Sequence, residues 1–234
     1  MSEETVKAIA DATKSTADLA SNLLDTTKTF GAPFKGAIQQ IAGALEDHVT
    51  VWRWEKRLKH VDRVKRIMAA RGMTAPTRVV PPEFVIRLLE ASDFADTEGL
   101  QELWANLLAN AADASSGPMP RSGYVEILSR MTALDAHNLE TLVKTAMRHE
   151  GKTSRPFLST FTLPESSTSR DELGGHSKPF MEQGVELSVS NMIGLGLLES
   201  ATGTFGGSMP IYEWVSVTPL GSDFYWACAR EPQR

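Results

Sequence analysis

A single cysteine, Cys228, stands in a chain of 234 residues, so no disulfide closes within it and no multi-cysteine metal site forms. That usage suits a reducing compartment. Long apolar runs are missing as well, because charged or polar residues interrupt every stretch before it reaches the ~20 residues a helix needs to span a bilayer. Residues 1–5 are acidic and polar, without the basic start and apolar run of a secretory signal. A soluble, cytoplasmic chain is expected. Nor is there an excess of positive charge: 24 Lys and Arg face 29 Asp and Glu, for a net charge of -5. This excludes a surface built throughout to coat nucleic acid and confines any such contact to a local patch.

The spacings that mark catalytic centres are also lacking. Of His48, His60, His137, His149 and His176, no two lie one helical turn apart, the arrangement that brings histidines together on zinc. Asp135 and His137 form the closest cluster, and they read as a carboxylate at a helix start beside an exposed neighbour. No glycine-bracketed serine elbow occurs, and Cys228 has no general base near it in sequence, which leaves it as a packing residue. Gly203, Gly206 and Gly207 precede no Lys-Ser or Lys-Thr pair, so they suit a hairpin loop better than a phosphate loop. No catalytic, cofactor-binding or metal-ligating residue is assigned. An enzyme is not expected.

What the chain does have is hydrophobic content, 41%, arranged largely at helical pitch. Val6, Ile9, Thr13, Thr16, Ala20, Leu23, Thr27 and Phe30 recur in steps of three and four, giving a thin amphipathic helix that Gly31-Ala32-Pro33 breaks. A longer pattern follows over residues 34–71 through Leu45, Val49, Trp54, Leu58, Val61, Val64 and Met68, and stops at Gly72. Residues 1–72 thus read as an N-terminal helical hairpin. Past Pro81-Pro82, residues 82–150 carry a central helical core. Thr97 is placed to cap its densest helix, that of Leu100, Trp104, Leu107, Leu108 and Ala111, and Thr132-Ala133-Leu134-Asp135 opens another.

Residues 151–178 read as a loop-rich connector in which Phe157, Phe161 and Leu163 support a short strand or a docked loop. Residues 179–234 change character. A helix with Val185, Val189 and Met192 is followed by Leu197-Leu198-Glu199, a glycine-rich turn over 202–210, a strand over 212–217, and a final helix after Thr218-Pro219. This order predicts a winged-helix-like element with a small antiparallel β-hairpin. The fold class expected is mainly α.

The string Glu102-Leu103-Trp104-Ala105-Asn106-Leu107-Leu108-Ala109-Asn110-Ala111, with Tyr124-Val125-Glu126-Ile127-Leu128 and Leu134-Asp135-Ala136 behind it, resembles the Abi-alpha family. So do Gly196-Leu197-Leu198 and Val217-Thr218-Pro219-Leu220-Gly221-Ser222-Asp223-Phe224 near the end. The resemblance runs over about residues 82–229 and implies bacterial defence by abortive infection, in which an infected cell arrests or dies before phage is released. It implies no catalytic residue.

The most unusual feature is charge. Arg53, Lys56, Arg57, Lys59, Arg63, Lys65, Arg66 and Arg71 crowd into the second helix against only Glu55 and Asp62, with Trp52 and Trp54 among them. Trp52, Arg53, Trp54, Lys56, Arg57, Lys59, Arg63, Lys65 and Arg66 form the candidate binding patch. A protein partner or self-association, an anionic membrane surface such as the inner membrane, and nucleic acid are the partners such a patch fits. The alternative is a solvated face whose charges pair with acidic residues elsewhere in the fold. The leading expectation is a phage-defence protein acting through protein or membrane contacts. A nucleic-acid-binding or transcriptional regulator using the basic helix is the second, since the C-terminal element makes a poor DNA reader and suits protein interaction better. There the helix that would enter a major groove carries Glu186 and no lysine or arginine, and the turn over 202–210 has no positive charge.

Overall fold

A computed structural model describes residues 48–117, 119–149, 155–169, 182–200 and 212–229. The first predicted helix, the break at Gly31-Ala32-Pro33 and the glycine-rich turn over 202–210 lie outside the described residues, as does the start of the second predicted helix. Among the described residues there are seven α-helices and three short strands, and the chain divides into two compact units after Val125. Helix α4, Gly123–Ser129, spans the division.

The first unit is built from α1 (His48–Ala70), α2 (Pro82–Ser92) and α3 (Glu98–Ala112). Helix α1 packs chiefly on α3, and α2 lies against both. Val61, Val64 and Met68 are buried at steps of three and four, as one face of a helix requires. They meet Phe84, Val85, Leu88 and Leu89 of α2 and a run on α3 that is buried without interruption from Trp104 to Ala112. Helix α3 is therefore the centre of this unit, as its apolar density predicts.

The ends of these helices follow from local chemistry. Gly72, at φ +76°, closes α1 with two bonds, from its own N–H to the Ala69 carbonyl and from Met73 N–H to the Met68 carbonyl. Only a residue without a Cβ adopts that left-handed turn freely. Pro82 opens α2, where its missing N–H is no loss. The Thr97 hydroxyl accepts from Leu100 N–H and caps α3. Beyond α1, the N–H groups of Thr77 and Arg78 both donate to the Ala112 carbonyl, which fastens the proline-bearing connector to the end of α3.

The second unit holds α5 (Ala133–Arg148), α6 (Gln183–Gly194) and α7 (Pro219–Cys228) around a small sheet. Its strands are β1 (Leu158–Ser159), β2 (Leu198–Ser200) and β3 (Trp214–Val217), in the order β1-β3-β2 with antiparallel pairing throughout. Leu198 sits opposite Val217 and Leu158 opposite Val215. The expected pair β2–β3 is joined by a third strand from the loop-rich connector, where Leu158 and Leu163 are buried while Phe157 stays 40% exposed. Leu139, Leu142 and Val143 of α5, Val189 and Met192 of α6, and Phe224 of α7 are among the buried residues that fill this unit's core.

Two polar links hold α6 against α5. Asn138 donates to the Ser188 hydroxyl at 2.8 Å, and Asn191 donates to the Asp135 carboxylate at 3.0 Å. Asp135 is 1% exposed and completes a capping box: it accepts from Thr132 N–H at 2.8 Å, while the Thr132 hydroxyl accepts from Asp135 N–H at 3.2 Å. His137 is exposed, as read from its position. Thr132→Ala removes one half of the box and will lower stability by about 1 kcal/mol, measurable as a shift in the urea midpoint at unchanged slope.

Candidate functional site: the basic face of helix α1

Helix α1 carries the whole candidate patch. Of its members, Trp52, Arg53 and Trp54 lie on the helix backbone, with their side chains outside the described residues. The others divide according to which side of the helix they occupy. The core stripe of Val61, Val64 and Met68 extends backwards, at steps of three and four, to His60 and Arg57. Charged and imidazole groups therefore enter the interior along with the apolar ones.

Arg57 is 12% exposed and reaches the 3%-exposed Asp93 carboxylate at 2.7 Å from Nη2, with Nε at 3.1 Å from both oxygens. Asp93 caps the C-terminus of α2, and Lys56 Nζ donates to its backbone carbonyl at 2.9 Å. Two cations thus meet the negative end of the α2 dipole, where positive charge is favoured. Arg63 turns to α3, donating to Glu102 and to the Gln101 side-chain oxygen, both at 3.1 Å. Arg71 does likewise one turn from the end of α3, donating to Asn110 at 2.6 Å and Asn106 at 3.3 Å. That contact explains two buried asparagines in the otherwise apolar stretch from Trp104 to Ala112: each offers an oxygen to a guanidinium in place of water.

Lys59 and Arg66 are exposed, and Lys65 is partly so, 3.8 Å from Asp62 on the surface. The basic run is therefore two things at once. Arg57, Arg63 and Arg71 pair with acidic or amide groups of α2 and α3, while Lys59, Lys65 and Arg66 remain on the outer side.

Where the two sides meet, a cavity of about 370 Å³ opens. Lys56, Lys59, His60, Asp62, Arg63 and Arg66 supply its wall from α1, and Ser92, Ala95 and Gln101 close it from the α2–α3 side. His60 is 7% exposed, and its Nε2 has no hydrogen-bond partner. Burial, with Arg63 nearby, pushes its pKa down to about 4, so the imidazole is neutral at pH 7. Its place among the cations was not read from sequence, although the pitch of the Val61–Val64–Met68 stripe passes through it.

Elsewhere, Cys228 is fully enclosed at the end of α7, and burial pushes its thiol pKa up, which makes it an inert packing residue. Among the described residues no three His, Cys, Asp or Glu side chains gather closely enough to hold a metal ion. No described helix is long and apolar enough to cross a membrane.

Residues 53–228 match the family described as abortive infection alpha. The chain belongs to that family. The matched span runs from within the basic helix α1 to the end of α7. No curated protein and no solved structure matches the chain.

Proposed function

We propose that this chain is a phage-defence protein of the abortive-infection type that works by binding rather than by bond-making chemistry, holding an anionic partner on the basic face of α1. Family membership over residues 53–228 carries the defence half of this reading. The crowding of Lys59, Lys65 and Arg66 on the outer side of α1, in a chain of net charge -5, supports the binding half. Such local positive charge raises the encounter rate with anionic surfaces while the rest of the molecule repels them.

A DNA reader using α6 is disfavoured by the same physics. Helix α6 bears Glu186 in its first turn and has no lysine or arginine, so it offers no phosphate neutralisation where a groove-bound helix needs it. Nucleic acid is left with α1 alone.

Expression in a phage-sensitive bacterium followed by challenge with a phage panel tests the proposal. Fewer plaques or early culture arrest against at least one phage is the expected result, and a Lys59→Glu, Arg66→Glu variant should lose it while keeping its circular dichroism spectrum. Unchanged plaque numbers and survival across the whole panel would sink the defence reading.

A further inference from the structure

We propose that the cavity beside α1 is a binding site for a small phosphorylated molecule, with Lys59 and Arg66 as its anion-holding groups. The assignment rests on the reading of α1 as the surface that holds an anionic partner, and it names the class of partner.

Two independent observations converge on it. The first is shape. A recess of about 370 Å³ falls in the range typical of small-molecule sites, ~300–1,000 Å³. It is larger than one phosphate group needs and smaller than a nucleic-acid groove or a protein helix fills. The second is charge. Four cations, Lys56, Lys59, Arg63 and Arg66, line the recess against one lining carboxylate, Asp62, whose side chain is 69% exposed. Arg63 is already engaged by Glu102 and approached by Glu98 at 3.7 Å, and Lys56 by the Asp93 carbonyl. Lys59 and Arg66 are the cations placed on the outer side of the same wall.

Apart from Ala95, every residue of the lining carries a polar or charged group, set on the aliphatic stems of the lysines and arginines. That favours a compact, highly charged ligand over a large apolar one.

The test uses the full chain and isothermal titration with pyrophosphate, inorganic phosphate and the four common nucleoside diphosphates. Saturable binding of at least one probe, weakening with added salt, is expected. In Lys59→Gln, Arg66→Gln, affinity for that probe should fall about tenfold or more, a difference of about 1.4 kcal/mol or more. Because Lys59 and Arg66 are exposed, their replacement leaves the fold intact and the double variant decides the matter. Absence of saturable heat with every probe, or affinity unchanged in the double variant, overturns the proposal. So does flotation with phosphatidylglycerol vesicles in the absence of any binding to the soluble probes, which would make a lipid headgroup the source of the anion. The defence reading fails separately: pyrophosphate bound with these expected variant effects, in a chain that gives no protection on the phage panel, would support the site and remove the role.

Discussion

Gly221→Ala will destabilise the second unit by about 3 kcal/mol, at the severe end of what one methyl group does to a packed interior. A Cβ built on Gly221 lies 2.1 Å from the Leu197 carbonyl oxygen and 2.9 Å from its carbon. These are backbone atoms, so no rotamer change relieves the clash. They cannot retreat without loss either, because that carbonyl accepts from Thr218 N–H at 3.0 Å and from the Thr218 hydroxyl at 3.1 Å. The same hydroxyl accepts from Gly221 N–H at 2.9 Å and caps α7. The chain entering β2 and the first turn of α7 are thus locked through Thr218, with room for hydrogen alone at position 221. Gly99→Ala is the control: nothing lies within 4 Å of its added Cβ, and in a helical position alanine should stabilise by up to about 1 kcal/mol. Urea unfolding followed by tryptophan fluorescence and circular dichroism reads both. A Gly221→Ala midpoint equal to wild type would mean that β2 and α7 do not meet as described.

Acidification will weaken the first unit through His60. In an unfolded chain this histidine titrates near its ordinary value of 6.5, whereas in the fold its pKa is lowered to about 4. The folded state therefore binds fewer protons than the unfolded one in the interval between these values. Stability from the neutral ring is complete above pH 6.5 and is lost as pH falls towards 4, by an amount on the order of 3 kcal/mol. The groups around the ring argue for the same sign: Arg63 opposes a positive imidazole, Lys56, Lys59 and Arg66 line the same cavity, and Asp62, the lining carboxylate, is largely exposed. Glu98 and Glu102 lie on Arg63, and Asp93 on Arg57. Carboxylates titrate over part of this interval, so the measurement is a difference between wild type and His60→Leu. The wild type should lose stability more steeply than the variant between pH 6.5 and 4. Parallel curves would place the imidazole in solvent and remove the wall of the cavity with it.

Much of the helical framework is legible in the residue order because helix ends are decided by neighbours in sequence. Thr97, Thr132 with Asp135, Pro82, Gly72 and Thr218-Pro219 all stand where they were expected, each satisfying or sparing backbone groups within one turn. The burial of Trp104, Leu107, Leu108 and Ala111 follows equally from spacing. Strand β1 is harder to read. Two residues show no alternation, and Leu158–Ser159 becomes a strand only because β3 presents Trp214 and Val215 for pairing.

The candidate site divides along the same line. Its charge was determined by the sequence, where eight cations gather around two acids between Trp52 and Arg71. Which of those cations face inward was decided only in three dimensions, when α2 and α3 brought Asp93, Glu102, Asn106 and Asn110 against α1. Local order specifies helices because each backbone hydrogen bond closes over four residues. Pairing between charges about 35 to 39 positions apart depends on helices finding one another, and no pattern along the chain records which partner arrives. The buried, unpartnered ring of His60 exists for the same reason: the pitch of α1 turns it inward, and only the packed helices close water out around it.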